Sequence, residues 1–270
     1  MKLTILGSGA WEGIPAPFCS CTTCHTAIEN PTSKNSRTRP QFLFETDAGK
    51  FLIEISPDIR LQSTRFKLPP ITNFIVSHWH FDHMYGLHEL LSWMKKLNKK
   101  PTLYCSAKTK EVINAEFGYL PLIVEVLPPF EQIILYDVRI TPFPVYHMFG
   151  RDNDILEENL DNTYGYLLEY DNKKIAYLGD YYRIPKTSLE KIQNVDVLIA
   201  DGTYLFTDEY KDLKSNHIHN EKILELTKRT HAKTVYYHSI SHLTHKTHDE
   251  LQKLLPASHF ISYDGMEISL

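Results

Sequence analysis

Apolar residues in this chain fall into short runs, alternating or continuous, divided by turn-forming residues. That is the pattern of many strands with few helices between them. Residues 3–6, 42–45, 51–55 and 73–76 form a first group of expected strands. Asp47-Ala48-Gly49-Lys50 is turn-like and lies between two of them, which predicts a hairpin. Residues 138–140, 144–146, 164–170, 174–178, 195–199 and 234–237 form a second group, with Asp171-Asn172 as a turn inside it. Helical spacing appears at Leu87, Leu90, Leu91 and Met94, at Ile223, Leu224 and Leu226, and at Leu251, Leu254 and Leu255. Strands come first, then one helix, more strands, and finally strands alternating with helices. This order predicts an α/β fold of two packed sheets with helices outside. No repeat, low-complexity stretch or linker interrupts it, so residues 1–270 are expected to form one domain.

Composition narrows the function classes. A chain of 270 residues, 42% hydrophobic and 23% charged, can bury a sizeable core. The net charge of −4 exerts no general pull on nucleic acid, and the densest basic stretch is only Lys95-Lys96 with Lys99-Lys100. The start of the chain lacks the apolar run of a signal peptide, and no window reaches the length of a membrane span. The expectation is a cytoplasmic protein without membrane or nucleic-acid partners. Cysteine usage agrees: Cys19, Cys21 and Cys24 crowd into six residues, with Cys105 far away. In a reducing compartment such crowding points to metal rather than disulfides.

The densest chemistry is His78-Trp79-His80-Phe81-Asp82-His83, which follows the apolar run Phe74-Ile75-Val76. In an extended segment residues two apart share a side, so His78 and His80 can grip one ion. Once the chain turns, Asp82 and His83 can face a second. Imidazole with carboxylate suits Zn, Mn or Fe. Further ligand types stand at the ends of apolar runs: His147 after Phe143-Pro144-Val145-Tyr146, Asp180 after Ala176-Tyr177-Leu178-Gly179, and His238 after Val235-Tyr236-Tyr237. Each alone is weak; their joint placement is the signal. Two metals with a bridging carboxylate such as Asp180 supply a water of low pKa and stabilise an in-line phosphoryl displacement. No Gly-x-Ser-x-Gly elbow argues for a protein nucleophile instead.

Ser77-His78-Trp79-His80-Phe81-Asp82-His83, followed in order by His147, Asp180 and His238, resembles the metallo-β-lactamase superfamily. The resemblance covers nearly the whole chain. It implies an αβ/βα four-layer sandwich with the site at the mouth between the sheets. It implies one metal on His78, His80 and His147, another on Asp82, His83 and His238, and Asp180 bridging both. A narrower resemblance is to the phosphoribosyl 1,2-cyclic phosphate phosphodiesterases of the carbon–phosphorus lyase pathway. It is carried by Gly7-Ser8-Gly9-Ala10 with Cys19-x-Cys21-x-x-Cys24, by Tyr164-Gly165-Tyr166-Leu167-Leu168-Glu169, and by Tyr263-Asp264-Gly265-Met266-Glu267-Ile268. It implies manganese at the active site, a small phosphorylated sugar as substrate, a homodimer, and His217 as general acid, with His219 its rival. Asp82 and Asp180 join His217 as catalytic candidates.

The same resemblance implies a structural zinc on Cys19, Cys21 and Cys24, completed by a remote histidine. His242 is the choice and His245 the alternative, because His238-Ser239-Ile240-Ser241-His242 carries one residue more than the related segment. The stretch 148–163, with Asp152, Asp154, Glu157, Glu158 and Asp161, is longer than in those phosphodiesterases. It reads equally as a lid or a solvated acidic loop. Three other functions compete: a tRNA 3′-end endonuclease, which wants a basic arm that is missing here; a pyrroloquinoline-quinone biosynthesis accessory protein; and a metal-binding protein without catalysis.

Overall fold

A computed structural model describes residues 1–97, 99–147, 162–207, 217–218 and 220–270, without the side chains of 96, 97, 220 and 221. The acidic stretch from 148 to 161 and the rival His219 lie outside the described residues. Among the described residues, fourteen strands form two seven-stranded sheets. The first holds β1 (Lys2–Gly7), β2 (Gln41–Glu45), β3 (Lys50–Ile53), β4 (Asn73–Ile75), β5 (Thr102–Cys105) and β6 (Ile123–Val126). The second holds β7 (Ile133–Leu135), β8 (Val138–Val145), β9 (Thr163–Tyr170), β10 (Lys173–Tyr177), β11 (Val197–Asp201), β12 (Thr234–His238) and β13 (His259–Ile261). The last strand, β14 (Met266–Ser269), returns to the first sheet beside β1, so the orders are β14-β1-β2-β3-β4-β5-β6 and β13-β12-β11-β10-β9-β8-β7.

Side-chain alternation explains the sandwich. Along β9, Tyr164, Tyr166 and Leu168 point between the sheets, where they meet Phe42, Phe44, Ile53 and Ile75 of the first sheet. Leu167, one residue over, packs into a separate core under the outer helices with Leu226 and Leu251. A matching core lies outside the first sheet, where Leu52 and Phe74 meet Leu87, Leu90 and Met94. The strands at the centre are therefore buried on both faces, which is why their sequences read as continuous apolar runs. The helices Leu87–Leu97, Asn220–Thr230 and His248–Leu254 lie where periodicity places them.

Several elements differ from the sequence expectation. The separate runs 138–140 and 144–146 are one strand, β8, because β9 pairs with it without a break from Arg139 to Val145. β7 pairs only with residues 138–140 on the other side, so Pro142 and Pro144 cost no ladder bond there. Not one but several helices lie between the early strands, among them Ile59–Arg65 and Ala107–Glu116. The three- and four-residue strands β5, β6, β7, β13 and β14 carry too little periodicity to be seen in isolation; neighbouring strands supply their pairing.

Candidate functional site

The ligand-type residues stand where strands end. β4 stops at Ile75, and the loop 76–80 leads into the short helix Phe81–Met84. That helix begins at His80, whose backbone is extended (φ −62°, ψ 154°), so His78 and His80 project from extended chain while Asp82 and His83 come from the first helical turn. The Ile55 amide donates to the His83 carbonyl at 2.7 Å and the Gly86 amide to the Ile55 carbonyl at 2.9 Å, fixing the loop to the end of β3. A side chain on Gly86 would strike the Ser56 carbonyl, 2.1 Å from where its Cβ would stand, so glycine is required.

Three groups of donors converge there. One ligand atom from each of His78, His80, His147 and Asp180 lies within 4.8 Å of the others, Asp82, His83 and Asp180 form a second such set, and Asp180, Asp201 and His217 a third. The carboxylate of Asp180 divides between the first two. Its Oδ2 lies 3.9 Å from His78 Nε2 and 3.8 Å from His147 Nε2, while its Oδ1 lies 3.3 Å from His83 Nε2. His83 Nε2 is also 3.2 Å from Asp82 Oδ2, and His147 Nε2 faces His80 Nδ1 at 3.0 Å.

The electrostatics fit cations. Among the described residues, His83 Nε2 and Asp180 Oδ1 are buried without a well-formed hydrogen bond, facing each other at 3.3 Å. Burial holds His78 well below the ordinary histidine pKa and His80 at about 4, so both present neutral, ligand-ready rings. Burial also opposes charge on His83, but Asp82, Asp180 and Glu54 outweigh it and raise that pKa well above the usual value. For Asp180, burial is outweighed by His83 and His217, which hold its carboxyl well below the usual range. Buried carboxylates that must otherwise recruit a proton onto His83 are a site for divalent metal.

His238 does not join this set. The sequence expectation grouped it with Asp82 and His83. Its Nε2 instead donates to the Leu178 carbonyl at 2.8 Å, and its Nδ1 accepts from Ser239 Oγ at 2.9 Å. The ring stacks on Tyr177, with centroids 5.4 Å apart, and Phe42 meets it edge-on. Both nitrogens are thus committed to holding β12 against the loop after β10.

His217 does reach the centre. Its Nε2 is 3.8 Å from Asp180 Oδ2, and its Nδ1 bonds Asp201 Oδ2 at 2.6 Å. Asp201 is itself fixed, accepting from the amide and hydroxyl of Thr203 at 2.8 and 2.6 Å. Burial lowers the His217 pKa, but Asp201 and Asp180 carry it up to about 9. Asp201 is absent from the sequence reading, although it ends the apolar run Val197-Leu198-Ile199-Ala200 as Asp180 ends its own. Glu54 is a second omission. Fully buried and held at φ 67°, it accepts from Tyr177 Oη at 2.8 Å and the Ser77 amide at 3.2 Å, and faces His83 Nδ1 at 3.3 Å. A carboxylate behind a ligand histidine fixes its ring and tautomer.

The cysteines meet as a separate cluster. Cys19, Cys21, Cys24 and His242 place their ligand atoms within 4.8 Å of one another. His242 Nδ1 lies 3.2 Å from Cys19 Sγ and 3.9 Å from Cys21 Sγ, so His242 rather than His245 completes the set.

The beta-lactamase superfamily domain matches residues 50–240. The chain belongs to the metallo-β-lactamase superfamily, and the fold and the His/Asp cluster make it a metal-dependent hydrolase. Within the superfamily it lies near a diphosphatase of the PhnP family: that crystal structure is 27% identical, superposes with a TM-score of 0.81, and covers 100% of this chain and 97% of its own. Zinc-bound PqqB from Methylobacterium extorquens shares the fold at 20% identity and a TM-score of 0.82, each chain fully covered. An octanoyltransferase of Porphyromonas gingivalis is 26% identical over 99% of this chain, which spans only 51% of that relative's length. Among the described residues no helix is long and apolar enough to cross a membrane.

Proposed function

We propose that the protein is a phosphodiesterase for a small phosphorylated sugar, with phosphoribosyl 1,2-cyclic phosphate the first substrate to try. The supporting observation is a histidine poised as a general acid on the two-set cation site: His217 Nε2 is 3.8 Å from the carboxylate that both sets share. His78, His80 and His147 would hold one cation, Asp82 and His83 the other, and Asp180 both. Manganese, iron or zinc suits this imidazole–carboxylate donor set, manganese being the first to try, and zinc suits the thiolates of Cys19, Cys21 and Cys24 with His242. Two bound cations supply charge neutralisation at the phosphoryl oxygens and a water of low pKa.

The chain's own residues do the rest. Opening a cyclic diester expels an alkoxide, which needs a proton as the P–O bond breaks. Asp201 holds the Nδ1–H of His217, so its Nε2–H faces the centre and can make that donation. Asp201 and Asp180 beside the ring raise its pKa, which favours the protonated form. The proton returns from water after the product leaves. The diphosphatase neighbour points to a related reaction, since a phosphoric anhydride presents the same two phosphoryl oxygens but a better leaving group. Nucleic acid is not favoured at a net charge of −4.

Phosphorus NMR of phosphoribosyl 1,2-cyclic phosphate with manganese-loaded protein tests the reading. Ring opening by the wild type and none by Asp180→Ala supports it. No ring opening, with turnover of an aryl phosphodiester, discards the sugar and keeps the diesterase. Inactivity on both overturns the reading.

A further inference from the structure

Beside the cysteine cluster stands a carboxylate that the chemistry above leaves unused. Glu12 is only 8% exposed, although a carboxylate is costly to take out of water without a partner. Its Oε1 accepts from Ser241 Oγ at 2.5 Å and lies 3.9 Å from His242 Nε2. Among the described residues its Oε2 is buried without a hydrogen-bond partner.

The backbone fixes both sides of this contact. Glu12 sits in a tight turn, closed by the Gly13 amide donating to the Ala10 carbonyl at 2.9 Å, with Gly13 at φ 68°. The Ala10 amide donates to the Ile240 carbonyl at 3.1 Å, and Ile14 and Arg37 exchange hydrogen bonds of 2.9 and 2.8 Å, so the turn is tied at both ends. Opposite it, Ser241 Oγ accepts from the Leu243 amide at 3.1 Å and begins the short 3-10 turn His242–Thr244.

His242 therefore faces two ways. Its Nδ1 looks to Cys19 Sγ at 3.2 Å and Cys21 Sγ at 3.9 Å, and its Nε2 looks to Glu12. A neutral imidazole that gives its Nδ1 lone pair to a cation carries its proton on Nε2. That N–H is then turned toward Glu12. At 3.9 Å the contact is an electrostatic one, longer than a hydrogen bond. The bond from Ser241 does not by itself call for a charge, since the carbonyl of a glutamine would accept it as well. Among the described residues His242 is the one ion-pair partner of Glu12, so a cation held at Nδ1 is what would offset the buried charge.

We propose that Glu12 is a positioning residue of the cysteine site. Acting through the Nε2–H of His242, it fixes the tautomer and orientation of the ring and strengthens Nδ1 as the fourth donor to zinc. This deepens the zinc reading of the cluster and rests on it.

The test is chelator titration of the full chain loaded with cobalt(II). Cobalt on thiolates shows a sulfur-to-metal charge-transfer band that an imidazole–carboxylate centre lacks, so the band reads the cysteine site apart from the active centre. Glu12→Gln keeps the volume and the Ser241 hydrogen bond but loses the charge. Its cobalt affinity should fall about tenfold while the shape of the band is kept. In His242→Cys the fourth donor has no ring N–H, so Glu12→Gln added to that variant should weaken binding no further. Equal affinity of the wild type and Glu12→Gln overturns the proposal. A tenfold loss that persists in the His242→Cys background does so too, because Glu12 would then act by holding the loop through Ser241. A wild type without the band overturns the metal reading of the cluster and the proposal together, a result distinct from a band of unaltered affinity.

Discussion

The two ligand clusters of this protein are built in opposite ways. The histidine–aspartate centre draws its side chains from the ends of β4, β8 and β10 and the first turn after β4, spread from His78 to Asp180. The cysteine cluster takes three of its four members from six consecutive residues and only His242 from elsewhere. The first is buried, rich in carboxylate and shared by two donor sets, with Asp201 and His217 beside it. In the second, among the described residues, the carboxylate near the histidine is Glu12, whose Oε1 lies 3.9 Å from His242 Nε2. An amide hydrogen bond from Cys21 holds the Cys19 thiol below its ordinary pKa, whereas burial pushes Cys24 up to about 12. Closed thiolate sites hold a fold together, and open carboxylate–imidazole sites carry chemistry. The contrast teaches that the histidine–aspartate donors are positioned by the whole sandwich, while most of the cysteine cluster is written locally.

The largest effect that would sharpen this division is loss of the proposed general acid. His217→Ala should retain both active-site metals and lower kcat by about 10²–10⁴-fold, the range for general acid catalysis. Rates are measured alongside metal content by emission spectrometry. Full activity would remove His217 from the mechanism.

Cys21→Ser should do the reverse. Zinc content falls and the melting temperature drops by about 5 °C or more, with kcat nearly kept. An unchanged melting temperature and zinc content would break the comparison at its second member.

Glu54→Gln probes the support behind the first site. Its carboxylate faces His83 Nδ1 at 3.3 Å, so the substitution should weaken metal binding by about 10–100-fold. A competitive chelator titration reads that change directly, and an unaltered affinity would make Glu54 a packing residue only.

The smallest effect lies in neither cluster. His248 Nδ1 sits 3.2 Å from Arg37 Nη2, and burial together with Arg37 and Lys34 lowers its pKa from 6.5 to about 4. A base with a depressed folded pKa stabilises fully above its unfolded value of 6.5 and loses that contribution as the pH falls toward 4. His248→Gln should therefore flatten the acid limb of stability between pH 6.5 and 4, by on the order of 2 kcal/mol in urea unfolding. A limb of unchanged slope would assign it to other groups.

The run from His78 to His83 is legible in the sequence because its spacing alone puts donors on one side. His147 and Asp180 are legible as ligand types at the ends of apolar runs. The same rule also picks out His238, which the structure turns to the Leu178 carbonyl and Ser239, since a strand end fixes where a side chain starts and not which partner it finds. Asp201 obeys the rule and escaped it because the expected strand stopped at residue 199, whereas β11 runs on to Asp201. Glu54 has no signal of its own; its role depends on Tyr177 and Ser77 arriving from elsewhere.

What the sequence by itself determined is local: the strand periods, the hairpin at Asp47–Lys50, the ligand loop and the three crowded cysteines. Only the tertiary structure decided how Asp180 divides its two oxygens, which histidine completes the cysteine set, and that Asp201 orients His217. The physical reason is range. Periodicity acts over a few bonds, whereas convergence at a site follows from β10 pairing parallel with β11 and β11 with β12, contacts that no short stretch of chain contains.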